Sequence, residues 1–496
     1  MTQLPRQRMV WLMAGLMTAM FLSALNQTIL TTALPTIVGE LHGAHLLTFV
    51  VTAYFLTSTV MMPVYGSVSD LFGRRPLLVI AISVFIAGSL LGALAQDIHT
   101  MILARAVQGA GGGGIILLSQ AAVGDVVPAR RRAEYFGWMA TVFAASSLAG
   151  PFIGGWLTEG PGWRWAFWMN LPVGALALIA VLVVLRPPAR PAAKRRVDVV
   201  GIVLLSTFTT ALILVATMGG VIFPWLSWQT GALAAVAVVA AVLTWRVEDR
   251  TPGAIFPPAL FRRRNFAIAT GTGLVSGIAM FGVAGYMPTY LQIVRGATAT
   301  EAGAQMAALM GTLVVTSTVA GSIISRTGRY KGLFLVGACT TVIGLALLGI
   351  LRPDTPVIFV CIVLGVIGIG IGLGMQLTLI AQITVPASQL GTATSSYQYV
   401  RHIGSTLGTA VVGSVFVGRL LPQLSGVDGL DAVAAITPEA VDALPSASQA
   451  IVEAAYQWAL IPVLTWLAPV AAIGIVLLAF LRPQRLDDGA REHAEA

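Results

Sequence analysis

The stretch Gly66-Ser-Val-Ser-Asp70-Leu-Phe-Gly73-Arg74-Arg75 joins two long apolar runs, and its grammar returns as Gly321-Ser-Ile-Ile-Ser325-Arg326-Thr-Gly328-Arg329, at an offset of 255 residues. Gly150 and Gly154 recur in the same way as Gly404 and Gly408, at an offset of 254, and the runs that open each half begin about 258 residues apart. Three anchors at nearly one offset predict two related halves. Such parallel repeats place a binding site near the middle of a bilayer in many transporters.

The rest of the chain agrees with a membrane setting. Of its 496 residues, 57% are hydrophobic and 10% charged, where soluble domains carry about a quarter. A spanning helix needs roughly 20 apolar residues, because hydrocarbon offers the backbone no partner. Fourteen such runs are legible, the first over 9–31 and the last over 459–482, including 165–186, 355–381 and 397–418. The first is too long for a signal peptide and continues into a polytopic pattern. The reading is an all-α membrane protein with a six-helix bundle over 1–186 and a linker over 187–266 that carries two extra spans. A second six-helix bundle follows over 267–482, with a large outer loop at 419–458, and then a tail at 483–496.

With the N-terminus inside, 23 of the 29 basic residues fall in loops on one side, and only Arg164, Arg295, Arg352 and Arg419 on the other. The positive-inside rule then places both termini in the cytoplasm, and the expected location is the cytoplasmic (inner) membrane. The formal charge of +9 is dispersed in these loops rather than gathered in one stripe, which argues against nucleic acid as a partner. Gly109 to Gly114 lies inside a span and is not followed by Lys-Ser or Lys-Thr, so it is no phosphate loop and ATP is not expected. Neither HExxH nor GxSxG occurs, which weighs against an enzyme. Cys339 and Cys361 sit in apolar runs and read as small hydrophobes; no metal is expected.

Three motifs carry a family resemblance across nearly the whole chain. Gly66 to Arg75 resembles motif A, Arg105-Ala-Val-Gln108-Gly109 motif B, and Gly150-Pro151-Phe-Ile-Gly154-Gly155 the antiporter motif C of the major facilitator superfamily. Leu25-Asn26-Gln27-Thr28 through Pro35, Trp163-Arg164-Trp165 and Phe261-Arg-Arg-Arg-Asn265-Phe266 resemble further features of its fourteen-helix drug:proton antiporter group. The resemblance implies the major facilitator fold, multidrug efflux with the proton as coupling ion, and no other cofactor. It also implies that Asp70, Arg74 and Arg75 latch the cytoplasmic side and that Arg105 takes part in proton transfer. Ser325 replaces the acid in the second copy, so the latch should be asymmetric.

Physical chemistry supplies its own reading of these residues. Gly73 permits a tight turn, and Asp70 could pair with a neighbouring helix N-terminus. A cation within a span, as at Arg105 or Arg401, is costly and is by default a functional hypothesis; the alternative is an arginine that bonds backbone carbonyls. Gly150-Pro151, Gly154-Gly155, Gly404 and Gly408 form a hinge or close-packing seam.

Proton antiport calls for an acid within the membrane, and none of the 20 is there. Ten, Glu40, Asp97 and Glu159 among them, fall outside; ten, including Asp70, Asp125, Asp198 and Glu248, fall inside. In the family pattern the position of Asn26 is usually Asp, and an amide does not titrate. Three alternatives stay open: Asn26 is a neutral version of a titrating site; Asp70, Asp125 or Glu159 couples at the helix ends; or transport is uncoupled. Met17, Met20, Phe21, Asn26, Tyr54, Gln120, Tyr286, Tyr290, Met306, Met310 and Gln376 are the candidate cavity lining, since flexible Met and flat aromatic side chains suit varied apolar ligands. The expected function is a secondary active exporter of amphipathic drugs by alternating access. A lipid or metabolite transporter is the alternative, and a non-transporting receptor or scaffold a third.

Overall fold

The computed structural model describes residues 6–41, 46–184, 198–219, 223–251, 253–424, 441 and 444–482. The linker segment 185–197, residues 425–440, 442 and 443 of the outer loop and the tail 483–496 lie outside them. Among the described residues, fourteen helical segments are long and apolar enough to cross a membrane.

The first half holds α1 (Arg6–Glu40), α2 (Leu47–Phe72), α3 (Arg74–Ala93), α4 (Ile98–Val126), α5 (Ala129–Glu159), the short α6 (Trp165–Trp168) and α7 (Asn170–Val184). Two inserted helices follow, α8 (Val199–Met218) and α9 (Trp228–Glu248), then the short α10 (Pro258–Phe261). The second half holds α11 (Arg264–Ile293), α12 (Ala299–Thr327), α13 (Lys331–Leu348), α14 (Val357–Gly374), α15 (Leu377–Ile383), α16 (Leu390–Leu420), α17 (Ser446–Thr465) and α18 (Leu467–Ala479).

Packing follows the repeat. In the first bundle α1 lies along α5, and α4 along α2 and α3; in the second α11 lies along α16, and α14 along α12 and α13. The halves meet where α2 touches α16 and α12 touches α5, which is one contact made twice under the repeat. The inserted α8 and α9 pack on each other, with α8 also against α2 and α16. Side chains such as Trp11, Leu176, Val183, Val238, Ile358 and Val476 are exposed, as apolar residues facing lipid should be.

Several boundaries differ from the hydropathy reading, each for a local reason. The run at 165–186 is broken at Met169, since Pro172 has no N–H to offer the preceding turn. The run at 355–381 breaks at Met375 and Gln376 after the glycine series 368, 370, 372 and 374, all poor helix formers. Helix α16 begins at Leu390, seven residues before the run read at 397, because its first turns are small and polar. The outer loop is shorter than 419–458: α17 starts at Ser446, just after Pro445, and Leu421–Gln423 is a 3-10 turn.

Candidate functional site

The turn after α2 explains the quoted stretch. Gly73 has φ +88°, and its counterpart Gly328 has φ +68°, conformations that a side chain resists. The turn brings Arg74 back over its own helix end, where Nη2 donates to Asp70 Oδ1 at 2.6 Å and Nε to Asp125 Oδ2 of α4 at 2.9 Å, with Nη1 on Ser69 Oγ. Asp70 then crosses to the other half. Its Oδ1 accepts the Gly391 N–H at 2.9 Å, and its Oδ2 accepts both the Thr392 N–H and hydroxyl at 2.7 Å. These are unpaired donors at the start of α16, where the helix dipole favours an anion. Arg75 stands apart, donating to the Leu182 carbonyl at 2.9 Å.

The second copy makes the matching contact with the opposite charge. Arg130, at the start of α5, donates to the carbonyls of Ser325 and Arg326 at 2.8 and 2.7 Å, at the end of α12. Above this latch face lies a layer of amides: Gln398 donates to Gln120 Oε1 at 2.7 Å, and Gln382 to the Gln120 carbonyl at 3.2 Å and Thr394 Oγ1 at 3.1 Å. The hydrogen bonds between the two bundles among the described residues run from this face only as far as Thr141 and Thr318, whose hydroxyls lie 3.3 Å apart.

Beyond that level each half keeps its own polar core. Arg105 is buried and donates to Asn26 Oδ1 at 2.8 Å and to Gln108 Oε1, with its guanidinium 4.2 Å from the Tyr54 ring centroid. Gln108 donates to Ser89 Oγ at 2.8 Å, which also receives Asn170 Nδ2 at 3.2 Å; Ser23 and Gln27 reach the Tyr54 hydroxyl, each at 3.3 Å. Asn26 Nδ2 has no hydrogen-bond partner. In the second half Arg401 lies against the sulfurs of Met375 and Met280, at 3.1 and 3.9 Å, beside the break between α14 and α15. Neither arginine has a carboxylate partner among the described residues.

The glycine seams are internal to each half rather than shared between α5 and α16. A Cβ on Gly150 would lie 2.0 Å from Thr28 Oγ1 of α1; on Gly404 and Gly408 it would lie 2.2 and 2.5 Å from the Leu274 and Ile278 carbonyls of α11. Gly154 is buried, whereas Gly155 has nothing within 4 Å of an added Cβ and is no part of the seam. The side chains of Pro151 and Glu159 lie outside those described.

The proposed lining is dispersed. Asn26, Tyr54 and Gln120 belong to the networks above. Met20, Tyr290, Met306 and Gln376 are buried within the bundles, where Tyr290 donates to Gln457 Oε1 at 2.5 Å and Gln376 to the Ser317 carbonyl at 3.0 Å. Tyr286 donates to the Thr409 carbonyl at 3.0 Å, and Met17, Phe21 and Met310 are half-buried against core clusters. Sequence reasoning missed Ser89, Asn170, Gln382, Gln398 and Thr392; for Thr392 the signal was Pro386 followed by small polar residues, a helix start. It also missed the clamp on the face opposite the latch, where Glu40 accepts Trp163 Nε1 at 2.7 Å and Arg164 Nη1 at 2.5 Å. Those bonds, the Arg164 one first, hold the Glu40 carboxyl below its ordinary range.

Two repeated bundles, an arginine at membrane depth in each, and hydrogen bonds between the halves that run from one face only among the described residues are the features of a polytopic transporter. The chain belongs to the Major Facilitator Superfamily, whose profile matches residues 16–409. An uncharacterized MFS-type transporter of Mycobacterium tuberculosis is 36% identical over 479 residues, 96% of this chain and 69% of that protein. The multidrug transporter protein MdtP of Bacillus subtilis is 35% identical over 409 residues, 82% of this chain and 75% of that protein. The efflux pump dotC of Dothistroma septosporum is 30% identical over 488 residues, 95% and 83% of the two chains. The crystal structure of the human organic anion transporter MFSD10 superposes with a TM-score of 0.65 at 15% identity, over 96% of this chain and all of that one, which shows the shared fold.

Proposed function

We propose that the protein is a secondary active exporter of amphipathic compounds, drug-like molecules among them, across the cytoplasmic membrane, by alternating access in exchange for protons. One observation carries the reading: the halves are bonded to each other from the latch face to the Thr141–Thr318 level, while the Arg105 and Arg401 cores beyond it stay within their own bundles. That is one end state of a rocking pair. The names of the MdtP and dotC relatives support efflux, and the basic loops support a cytoplasmic latch face.

Cargo follows from charge. Two membrane-depth arginines without an acid repel lipophilic cations and accept neutral or anionic amphipaths. A second reading, transport of a lipid or metabolite without coupling, is favoured by Asn26, an amide beside Arg105 at the depth where coupling needs an acid. Proteoliposomes with a luminal pH dye separate the two. Substrate-driven proton movement supports antiport, flux without it supports the uncoupled reading, and no flux of anionic, neutral or cationic amphipaths overturns both.

A further inference from the structure

The inserted hairpin of α8 and α9 holds a buried acid for which the transport reading has no use. Glu248, the last residue of α9, is 2% exposed. Its Oε2 accepts the Phe256 N–H at 2.9 Å, but its Oε1 has no hydrogen-bond partner. Asp198, which caps α8, uses Oδ1 on the Gly201 N–H at 2.8 Å and likewise leaves Oδ2 without a partner. The two orphan oxygens converge on one point: a Cβ on Gly201 would lie 2.2 Å from Glu248 Oε1 and 2.5 Å from Asp198 Oδ2.

Two carboxylates so placed cannot both stay ionised without repulsion. One proton, bonded to one oxygen and donated to the other, satisfies both at once. We propose that Asp198 and Glu248 share a single proton and form a proton-binding site at the latch-face end of the inserted hairpin. A calcium-like cation would want six to eight oxygens, and no group of three His, Cys, Asp or Glu able to hold a metal occurs among the described residues.

The charges nearby are occupied elsewhere or belong to the same helix end. Asp249 pairs with Arg262 at 2.9 Å, and Arg263 donates to the Thr384 carbonyl. Asp70, on α2, is bound to Arg74 and α16. Arg246 and Arg250 flank Glu248 in sequence without an ion pair to either acid, and α8 has no ionisable side chain. Lys194, Arg195 and Arg196 precede Asp198 and lie outside the described residues.

The site reaches a helix that carries the latch. Phe256, held by Glu248, packs edge-on against Tyr399 at 5.4 Å between centroids, and the Tyr399 hydroxyl lies 2.6 Å from Thr209 Oγ1 of α8. Tyr399 stands seven residues along α16 from Thr392, whose N–H and hydroxyl donate to Asp70 in the latch. Loss of the proton sets two like charges against each other and loosens this brace.

Infrared titration of the full chain in lipid nanodiscs tests the assignment. A protonated-carboxyl band is expected to persist at neutral pH, to vanish in Glu248→Gln, and to move to lower pH in Asp198→Asn, whose amide donates to an ionised Glu248. Absence of the band, or its survival unchanged in Glu248→Gln, overturns the proposal. If either variant fails to fold, a hydrophobic carbodiimide on the wild-type chain gives the second reading: mass mapping should find Glu248 modified at neutral pH, and an unmodified Glu248 overturns the site. Neither measurement uses transport, so the proton site and the export reading fail separately.

Discussion

Asp70 and Arg130 close the two symmetric seams between the halves with opposite charges: the carboxylate binds the N–H groups that open α16, and the guanidinium binds the carbonyls that end α12. Both exploit a helix dipole, but their surroundings differ. Asp70 is a buried ion that accepts four hydrogen bonds from three residues, whereas Arg130 works at the exposed rim. Hydrogen bonds to buried charge are worth about 1.5–3 kcal/mol, and exposed dipole contacts about 0.3–1 kcal/mol. Asp70→Asn should therefore shift the closed-to-open ratio at the latch face roughly tenfold or more and abolish transport, with insertion intact, while Arg130→Gln shifts it only a few-fold. Distance distributions between spin labels on the two halves check both; normal transport in Asp70→Asn would remove the latch from the mechanism.

Asn26 gives Arg105 an acceptor but no charge. Asn26→Asp supplies the missing anion to a buried guanidinium, and an ion pair in place of a charge–dipole bond should stabilise the first bundle by about 1–2 kcal/mol. The variant is expected to melt higher and to gain or increase proton exchange on substrate addition, read by a luminal dye. Unchanged melting and unchanged exchange would mean that position 26 only packs.

The fold was legible because its signals are long: fourteen apolar runs, and a repeat whose turn glycines, Gly73 and Gly328, both have a positive φ. The Asp70 loop was legible for the same reason. Its partner was not, since Leu-Gly-Thr-Ala-Thr-Ser-Ser at the start of α16 is too polar for a hydropathy window to count as helix. Buried polar partners such as Ser89 and Gln398 are chosen by tertiary contact and leave no periodic trace. Bulk and flexibility do not say which face of a span meets a cavity, and the sequence carries no sign that Met20 and Tyr290 are buried.

Alanine at two glycines should separate seam from open space. At Gly66 a Cβ would lie 2.1 Å from Ser395 Oγ and 2.8 Å from the Gly391 carbonyl, across the interface of α2 and α16. At Gly155 it meets nothing within 4 Å. Gly66→Ala should cost the closed arrangement about 1–3 kcal/mol and open the latch face to cysteine reagents, while Gly155→Ala stays within about 0.5 kcal/mol of wild type. Equal labelling of the two variants at the latch face would contradict the seam.

On the opposite face, Glu40 ties the end of α1 to the 163–164 turn through Arg164 and Trp163. Because its carboxyl is held below the ordinary range, the tie contributes stability above the unfolded carboxylate range and loses it as pH falls through the folded value. Glu40 is half exposed, so solvent screens the pair and the whole effect should stay below about 1 kcal/mol. The expected result is a small melting difference between wild type and Glu40→Gln at neutral pH that closes on acidification below the ordinary carboxylate range. Arg164→Gln should show the same small deficit at neutral pH, and in the double variant the two deficits should not add, because one ion pair accounts for both. A difference that instead grew toward low pH would place the stabilising form of Glu40 in its protonated state and reverse the sign of the clamp.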